Sequence, residues 1–308
     1  MSVTPSSQPN GSFNSEGKQF IWDATSITMA QECPRKYQLS MLENWRSKNL
    51  SVHLWFGAHF ASVLELFYKD IVAKVDREQA IHNGVKYLLN ETWDQETNQP
   101  DTFTDTAKTR ETLVRTFIWY VEHYKDDPAE LWVTPTGEAA VEHSFVIPVN
   151  ANIFFAGHLD RIVEYSGGRY GMDQKTSKGV ISPAYMKQYM VNNQMSMYTW
   201  AGQVVYDTEL KGMIIDGVQV AVGFNAFHRG FTSRTQAQLT EWVNDTLITI
   251  DQIHQYTENQ YFPMNPTSCN NYGGCMFREV CGRHPGNRKQ FLKADYNQDQ
   301  QWDPSHAR

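Results

Sequence analysis

The sequence predicts an α/β domain, on three observations. Apolar residues recur at helical spacing in several stretches, and strand-like alternation and β-branched runs fill two others. The 308 residues also carry 41% hydrophobic and 13% aromatic side chains, enough for a sizeable core. A disordered chain is excluded, because such chains cannot bury enough apolar surface to offset the entropy of ordering.

The elements follow in order. From His53 to Lys74, a stripe of Leu54, Phe56, Phe60, Val63, Leu64, Phe67, Ile71 and Val72 predicts a helix. Arg77–Asp94 and Thr106–Lys125 repeat the pattern, and Asp126-Asp127-Pro128 ends the latter. Alternation from Gly137 to Thr176 predicts a mostly antiparallel strand cluster. Helical spacing returns at Ala184–Tyr206, β-branched residues at Met213–Phe227, and a last helix at Gln236–Asn259. There is no internal repeat and no Pro/Ser-rich linker after residue 20. One domain over 21–286 is therefore expected, with a helical insertion at roughly 73–130, a disordered tail at 1–20 and a polar C-terminal tail at 287–308.

No apolar run approaches the roughly 18 residues that cross a bilayer, and the polar N-terminus lacks the apolar core of a secretory signal. A soluble, cytoplasmic protein is expected, with no membrane partner. The net charge of −7 argues against non-specific coating of nucleic acid but leaves room for a local basic groove.

Four cysteines are present. Cys269, Cys275 and Cys281 lie in one stretch with five residues in each gap, and Cys33 lies far upstream. Disulfides do not suit a reducing cytosol. The alternatives are buried thiols packing as small hydrophobes, or a four-thiolate metal or iron–sulfur site, which the clustering favours.

The most informative stretch is Gly157–Lys178. Ser166-Gly167-Gly168-Arg169 predicts a hairpin with Gly167 and Gly168 as its loop. That register sets Asp160 opposite Lys175, with Asp173 on the same face and the two carboxylates diagonal, about 7–8 Å apart at Cα. Two hard oxygen ligands suit Mg²⁺ and leave water positions open, and a neighbouring ammonium stabilises negative charge that builds on a phosphate. The plainer alternative is a solvated face with an ordinary cross-strand Asp–Lys pair.

Gln194 and Tyr198, four apart, share a helix face suited to phosphate or base edges. Five basic residues against two acids from Arg161 to Lys187 invert the local sign, and Arg278, Arg283, Arg288 and Lys289 form a second basic cluster. Both favour a polyanionic ligand.

Taken together, these residues resemble the RecB-like branch of the PD-(D/E)XK nuclease superfamily, particularly its members with a four-cysteine iron–sulfur cluster, such as AddB-type and CRISPR-associated RecB-like nucleases. Ser26–Leu39 resembles the opening helix with its lone Cys-Pro, and Trp55–Tyr68 the glycine-led helix that carries a metal-site glutamate, here Glu65. Gly157–Ile162 resembles the first acidic motif with Asp160. Asp173-Gln174-Lys175 resembles (D/E)-x-K, Gln194–Tyr198 the Gln-x-x-x-Tyr motif, and the three late cysteines the end of the cluster pattern.

The resemblance implies a small mixed sheet flanked by helices, with a cluster in 265–286 joining the chain's N- and C-terminal parts. It implies a metal-dependent DNA nuclease, most simply an exonuclease. Asp160, Asp173, Glu65 and the Gln174 carbonyl would hold Mg²⁺ or Mn²⁺, and Lys175 would support attack of water. Gln194 and Tyr198 would contact DNA beside the scissile phosphate, and Arg161, Lys178 and Lys187 would bind DNA. Cys33, Cys269, Cys275 and Cys281 would hold a 4Fe-4S cluster, with Zn²⁺ as the lesser alternative. DNA with a free end or a single-stranded region, together with a helicase or recombination partner, fits that reading. So does a place on the nucleoid of a bacterium, or in the host cytoplasm if the protein is virus-encoded.

Two positions depart from the pattern: Leu159 replaces the named proline, and Ala61 stands where a metal-binding histidine is usual. His59 is two residues away, about 200° around a helix. A catalytically weak or inactive DNA-binding subunit of a recombination or repair assembly is the alternative that Ala61 supports, and a zinc-stapled scaffold is a third.

Overall fold

The structure is a computed structural model that describes residues 11–48 and 51–305. The first ten residues of the expected tail lie outside the described residues. Residues 11–20 are ordered by a bridge between Phe13 and Gln19 and by the buried Ser12.

The chain divides into two compact units, one of residues 1–49, 144–157 and 236–308, the other of residues 50–143 and 158–235. The helical segment at 73–130 lies wholly in the second.

The second unit joins three helices to a mixed sheet. Helix Val52–Val72 buries Phe56, Phe60, Val63, Leu64 and Phe67 of the predicted stripe, whereas Leu54 at its first turn is exposed and Ile71 and Val72 at its end are half-buried. Helix Arg77–Glu91 starts where the Asp76 carboxylate accepts the Glu78 and Gln79 N–H groups. Helix Arg110–His123 starts at a capping box between Thr109 and Thr112. The three share a core with Val218 and Val220. Gly84 permits their close approach, since a Cβ there would stand 2.5 Å from Phe117 Cζ.

In the sheet, strand Gly168–Ser177 pairs antiparallel with the later part of strand Phe154–Tyr165 and parallel with strand Gly212–Val220. The latter pairs antiparallel with strand Asn225–Ser233. The expected single run Met213–Phe227 is thus two strands around a tight connection in which the Ala221 N–H bonds the Phe224 carbonyl. Every residue of Gly212–Val220 is buried, as in a strand covered on both faces. The parallel step is bridged by helix Asn193–Tyr206. The expected helix Ala184–Tyr206 divides into Pro183–Lys187 and Asn193–Tyr206, because Ser182 and Asn192 each cap a new start.

The first unit holds helix Ala24–Glu32, capped by Asp23 and Ser26, and helix Gln236–Glu258. Strand Ile21–Trp22 pairs in parallel with Phe154–Phe155. Residues expected as a polar C-terminal tail instead form helix Arg288–Asp295 and strand Tyr296–Gln298, which pairs with Trp45–Ser47. Leu292 and Phe291 explain this, packing with Leu39, Trp45, Phe277 and Val280. Among the described residues no helix is long and apolar enough to cross a membrane.

Candidate active site

The turn that sets the site lies one residue earlier than expected. Ser166 (φ 47°) and Gly167 (φ 70°) form the two-residue loop, and both adopt the positive φ such a turn requires. Tyr165 then faces Gly168, and Arg161 faces Met172. Gly168 belongs to the strand, where Lys211 crosses so closely that a Cβ would stand 2.5 Å from its Cδ. The expected register is therefore corrected. Continued by one residue, the observed register sets Asp160 opposite Asp173 rather than Lys175. Because the shift is even, the three residues keep a common face, and the carboxylates stand opposite instead of diagonal.

The regular pairing ends at Arg161 and Met172, and beyond it Asp160 Oδ2 accepts the Gln174 N–H at 3.1 Å. Asp173 is buried, and its Oδ2 lies 2.6 Å from Lys175 Nζ as an ion pair. Burial, and after it the charge of Asp173, push the Asp160 carboxyl up to about 7, against the pull of Lys175 and the Gln174 N–H. Burial works against the Lys175 ammonium, but Asp173 and Asp160 outweigh it and raise its pKa. Two crowded carboxylates fit a divalent cation by the chemistry of their oxygen donors. Asp160 and Asp173 would hold it.

Lys175 Nζ also donates to Gln194 Oε1 at 2.8 Å, and Gln194 Nε2 donates to the Tyr198 hydroxyl at 3.2 Å. Successive residues of a strand point to opposite faces, and here they meet different helices. Lys175 meets Asn193–Tyr206, whereas Thr176 faces helix Val52–Val72, where a Cβ on Gly57 would stand 3.8 Å from Thr176 Oγ1. Further along that helix the Tyr68 ring receives Arg161 at 4.5 Å, so Gly57, Ala61, Glu65 and Tyr68 form one stripe toward the strands. Glu65 is ion-paired to Lys69. Among the described residues no three His, Cys, Asp or Glu side chains gather as a metal-binding group. His59 stands edge-on to Trp55 at 5.1 Å, off the stripe that carries Ala61.

Of the expected DNA contacts, Lys187 is exposed, and Lys178 is exposed but ion-paired to Asp105 at 2.5 Å. Arg161 requires a correction. It is 3% exposed, lies 2.8 Å from Asp216 Oδ2, donates to the Tyr120 hydroxyl at 2.6 Å and packs on Met172, so no guanidinium surface is left for a phosphate. Sequence reasoning counted its charge but not its partner.

That partner belongs to a network the sequence analysis missed. Asp216 also pairs with Arg229 at 3.3 Å, which grips Asp127 with two bonds of 2.6 Å. With the Gln174 amide turned to suit its neighbours, its nitrogen donates to Asp160 Oδ2 at 3.0 Å and its oxygen accepts from Arg161 Nη2 at 3.1 Å. Gln174 thereby links the network to Asp160. The available signal was Asp216 itself, a carboxylate within the apolar run Met213–Val220. Lys108, nearly fully buried and bonded to Thr176 Oγ1 at 3.0 Å, was missed as well.

All four cysteines fall in the first unit as free thiols. Cys33 Sγ accepts the Asn265 N–H at 3.4 Å, Cys269 Sγ contacts the Asn265 carbonyl, and the Cys275 N–H bonds the Cys269 carbonyl. Burial pushes the Cys281 thiol up, Arg35 opposes this, and Cys33 and Cys275 are near enough to add to it. These thiols are neighbours, and among the described residues they are not gathered as a metal-binding group of three or more.

No curated protein matches the chain. Among solved structures, it is similar to a candidate exonuclease from Eubacterium rectale, at 10% identity and a TM-score of 0.45, over 80% of this chain and 85% of that one. It is also similar to the protein SSO0001, at 12% identity and a TM-score of 0.30, over 75% of this chain and 77% of that one. The sequence model of the PD-(D/E)XK nuclease superfamily matches residues 22–282, a span that includes both acidic strands and the helix bearing Gln194. With most of its length matched, the chain belongs to the PD-(D/E)XK nuclease superfamily.

Proposed function

We propose that this protein is a divalent-metal-dependent deoxyribonuclease that hydrolyses phosphodiester bonds, with Asp160, Asp173 and Lys175 at its centre. One observation carries the reading: the two carboxylates and the ammonium converge where the hairpin pairing ends, with Lys175 held between Asp173 and Gln194. When bound, Mg²⁺ or Mn²⁺ would lower the pKa of a water molecule and neutralise phosphate charge. Asp160 and Asp173 would hold the cation, and Gln174 fixes Asp160. Lys175 presents its charge to the phosphate as negative charge builds, and Gln194 aims it. Glu65 and the Gln174 carbonyl are secondary ligand candidates from the superfamily resemblance.

The test incubates labelled single- and double-stranded DNA, linear and circular, with Mg²⁺ or Mn²⁺. Metal-dependent cleavage that Asp160→Ala and Lys175→Ala each reduce by on the order of 10²–10³ supports the proposal. Loss of linear but not circular substrate makes it an exonuclease. DNA binding without turnover in either metal sinks it in favour of the non-catalytic subunit that Ala61 suggests.

A structural iron–sulfur cluster on Cys33, Cys269, Cys275 and Cys281 rests on their spacing and on the nearness of Cys281 to Cys33 and Cys275. Anaerobically purified protein would show bound iron and an absorbance band near 400 nm, and Cys33→Ser would lose both. Zinc without that band would indicate the alternative occupant. Iron content unchanged by Cys33→Ser would remove that residue from the site.

A further inference from the structure

We propose that an open cavity in the first unit is a docking site for a single strand of DNA, an assignment that rests on the nuclease reading. The cavity is about 750 Å³, and Arg35, Trp45, Tyr261, Arg288, Lys289 and Lys293 are among the residues that line it. It takes up part of the second basic cluster of the sequence and adds Arg35 from far upstream and Lys293 from the last helix.

No carboxylate ion pair cancels its charge. Among the described residues none of Arg35, Arg288, Lys289 and Lys293 makes an ion pair. The two arginines are held by neutral partners. Arg35 Nε donates to the Phe262 carbonyl at 3.1 Å, and Arg288 donates to the Arg283 and Cys281 carbonyls at 3.2 and 3.0 Å. Carbonyls fix a guanidinium in place without neutralising it. Glu43, the one carboxylate lining the cavity, is taken by Gln38 at 2.8 Å and Trp45 at 3.0 Å. Lys289 and Lys293 lie four apart on helix Arg288–Asp295 and so share a face. Four fixed or clustered cations against one engaged carboxylate, in a protein of net charge −7, complement a polyanion.

The aromatic lining narrows the class. Tyr261 is 63% exposed although its neighbour Phe262 is buried, so its ring is open beside the cations. A basic groove with an exposed ring matches what an unpaired strand presents, with phosphates for the cations and an unstacked base for the ring. A duplex keeps its bases stacked and offers the ring nothing.

The test is fluorescence anisotropy of a labelled twenty-nucleotide oligothymidine in EDTA, where no cleavage occurs. Lys289→Glu/Lys293→Glu should weaken binding at least tenfold and reduce the slope of log Kd against log salt by about 1.4, roughly 0.7 per lost phosphate contact on a single strand. Tyr261→Ala should weaken binding roughly tenfold with the slope unchanged. The control Lys74→Glu/Lys86→Glu, on exposed positions of the second unit, should bind like wild type, and circular dichroism checks that each variant is folded. A lysine pair variant that binds like this control overturns the site. So does unchanged binding by Tyr261→Ala with heparin competing as well as DNA, which marks a general polyanion surface. Protein that binds in this way but never cuts refutes the nuclease reading and leaves the docking site standing. Protein that cuts while its binding ignores these residues refutes the docking site alone.

Discussion

Lys175 donates to Gln194 Oε1 at 2.8 Å while its ammonium lies 2.6 Å from Asp173 Oδ2. One cation is thus held by the strand that carries it and by the helix of the crossover, so its direction does not depend on its own flexible stem.

Gln194→Ala should therefore lower kcat by about tenfold or more, less than loss of Lys175 itself, with KM for DNA little changed. Tyr198→Phe should cost only a few-fold, since Tyr198 acts through the Gln194 amide. The double variant should be no worse than Gln194→Ala alone, because both changes interrupt one chain of hydrogen bonds. Additive losses in steady-state kinetics would give Tyr198 a separate role.

Asp216→Asn should destabilise the protein by roughly 3–5 kcal/mol, because it leaves the buried Arg161 without a charged partner. Arg229 keeps Asp127 and should suffer less. Urea unfolding measures the change, and a loss under 1 kcal/mol would mean that water or rearrangement satisfies Arg161.

Lys108 predicts a pH dependence. Burial, with Lys178 adding to it and Asp105 opposing it, brings the Lys108 ammonium down to about 8. Between that value and its ordinary 10.5, the unfolded chain holds a proton that the folded chain has released. Stability contributed by this group therefore rises with pH across the window and is flat below it. The stability of Lys108→Met relative to wild type should fall between pH 8 and pH 10. A difference that stays constant would show that Lys108 titrates normally.

Ala61→His tests the unusual helix. Ala61 lies one turn from both Gly57 and Glu65 on the stripe that faces the strands, whereas His59 stacks edge-on against Trp55. Imidazole suits Mn²⁺ better than Mg²⁺, but this stripe meets the Thr176 face of the strand and not the Lys175 face, so Ala61→His should leave Mn²⁺ binding by calorimetry unchanged, and His59→Ala should leave cleavage unchanged. Activity lost in His59→Ala and restored by excess Mn²⁺ would mean that His59 reaches the cation.

What the sequence made legible was local. Helices Val52–Val72 and Gln236–Glu258 follow from apolar spacing, and the common face of Asp160, Asp173 and Lys175 follows from the twofold period of strands. The turn was misplaced by one residue because Ser-Gly and Gly-Gly both suit a two-residue loop, and only the strand pairing of Tyr165 with Gly168 distinguishes them. Arg161 was misread for the same reason, since its partner Asp216 is 55 positions away. The ordered C-terminus depends on Leu39 and Trp45 at the other end of the chain. Periodicity reports which way a side chain faces, but not which remote residue meets it.

The Ser166–Gly167 turn has a consequence for engineering and for drift. Exposed turns are where chains ordinarily accept tags, insertions and deletions. Here one residue gained or lost would swing Asp173 to the opposite face from Asp160, and two would slide the carboxylates past each other by a pleat. The loop's sequence has latitude as long as positive φ is available, but its length does not. It is the gauge for a pair of carboxylates six residues away on either arm, and a library that varies residues 166 and 167 should tolerate substitution by types that adopt positive φ and reject every change of length.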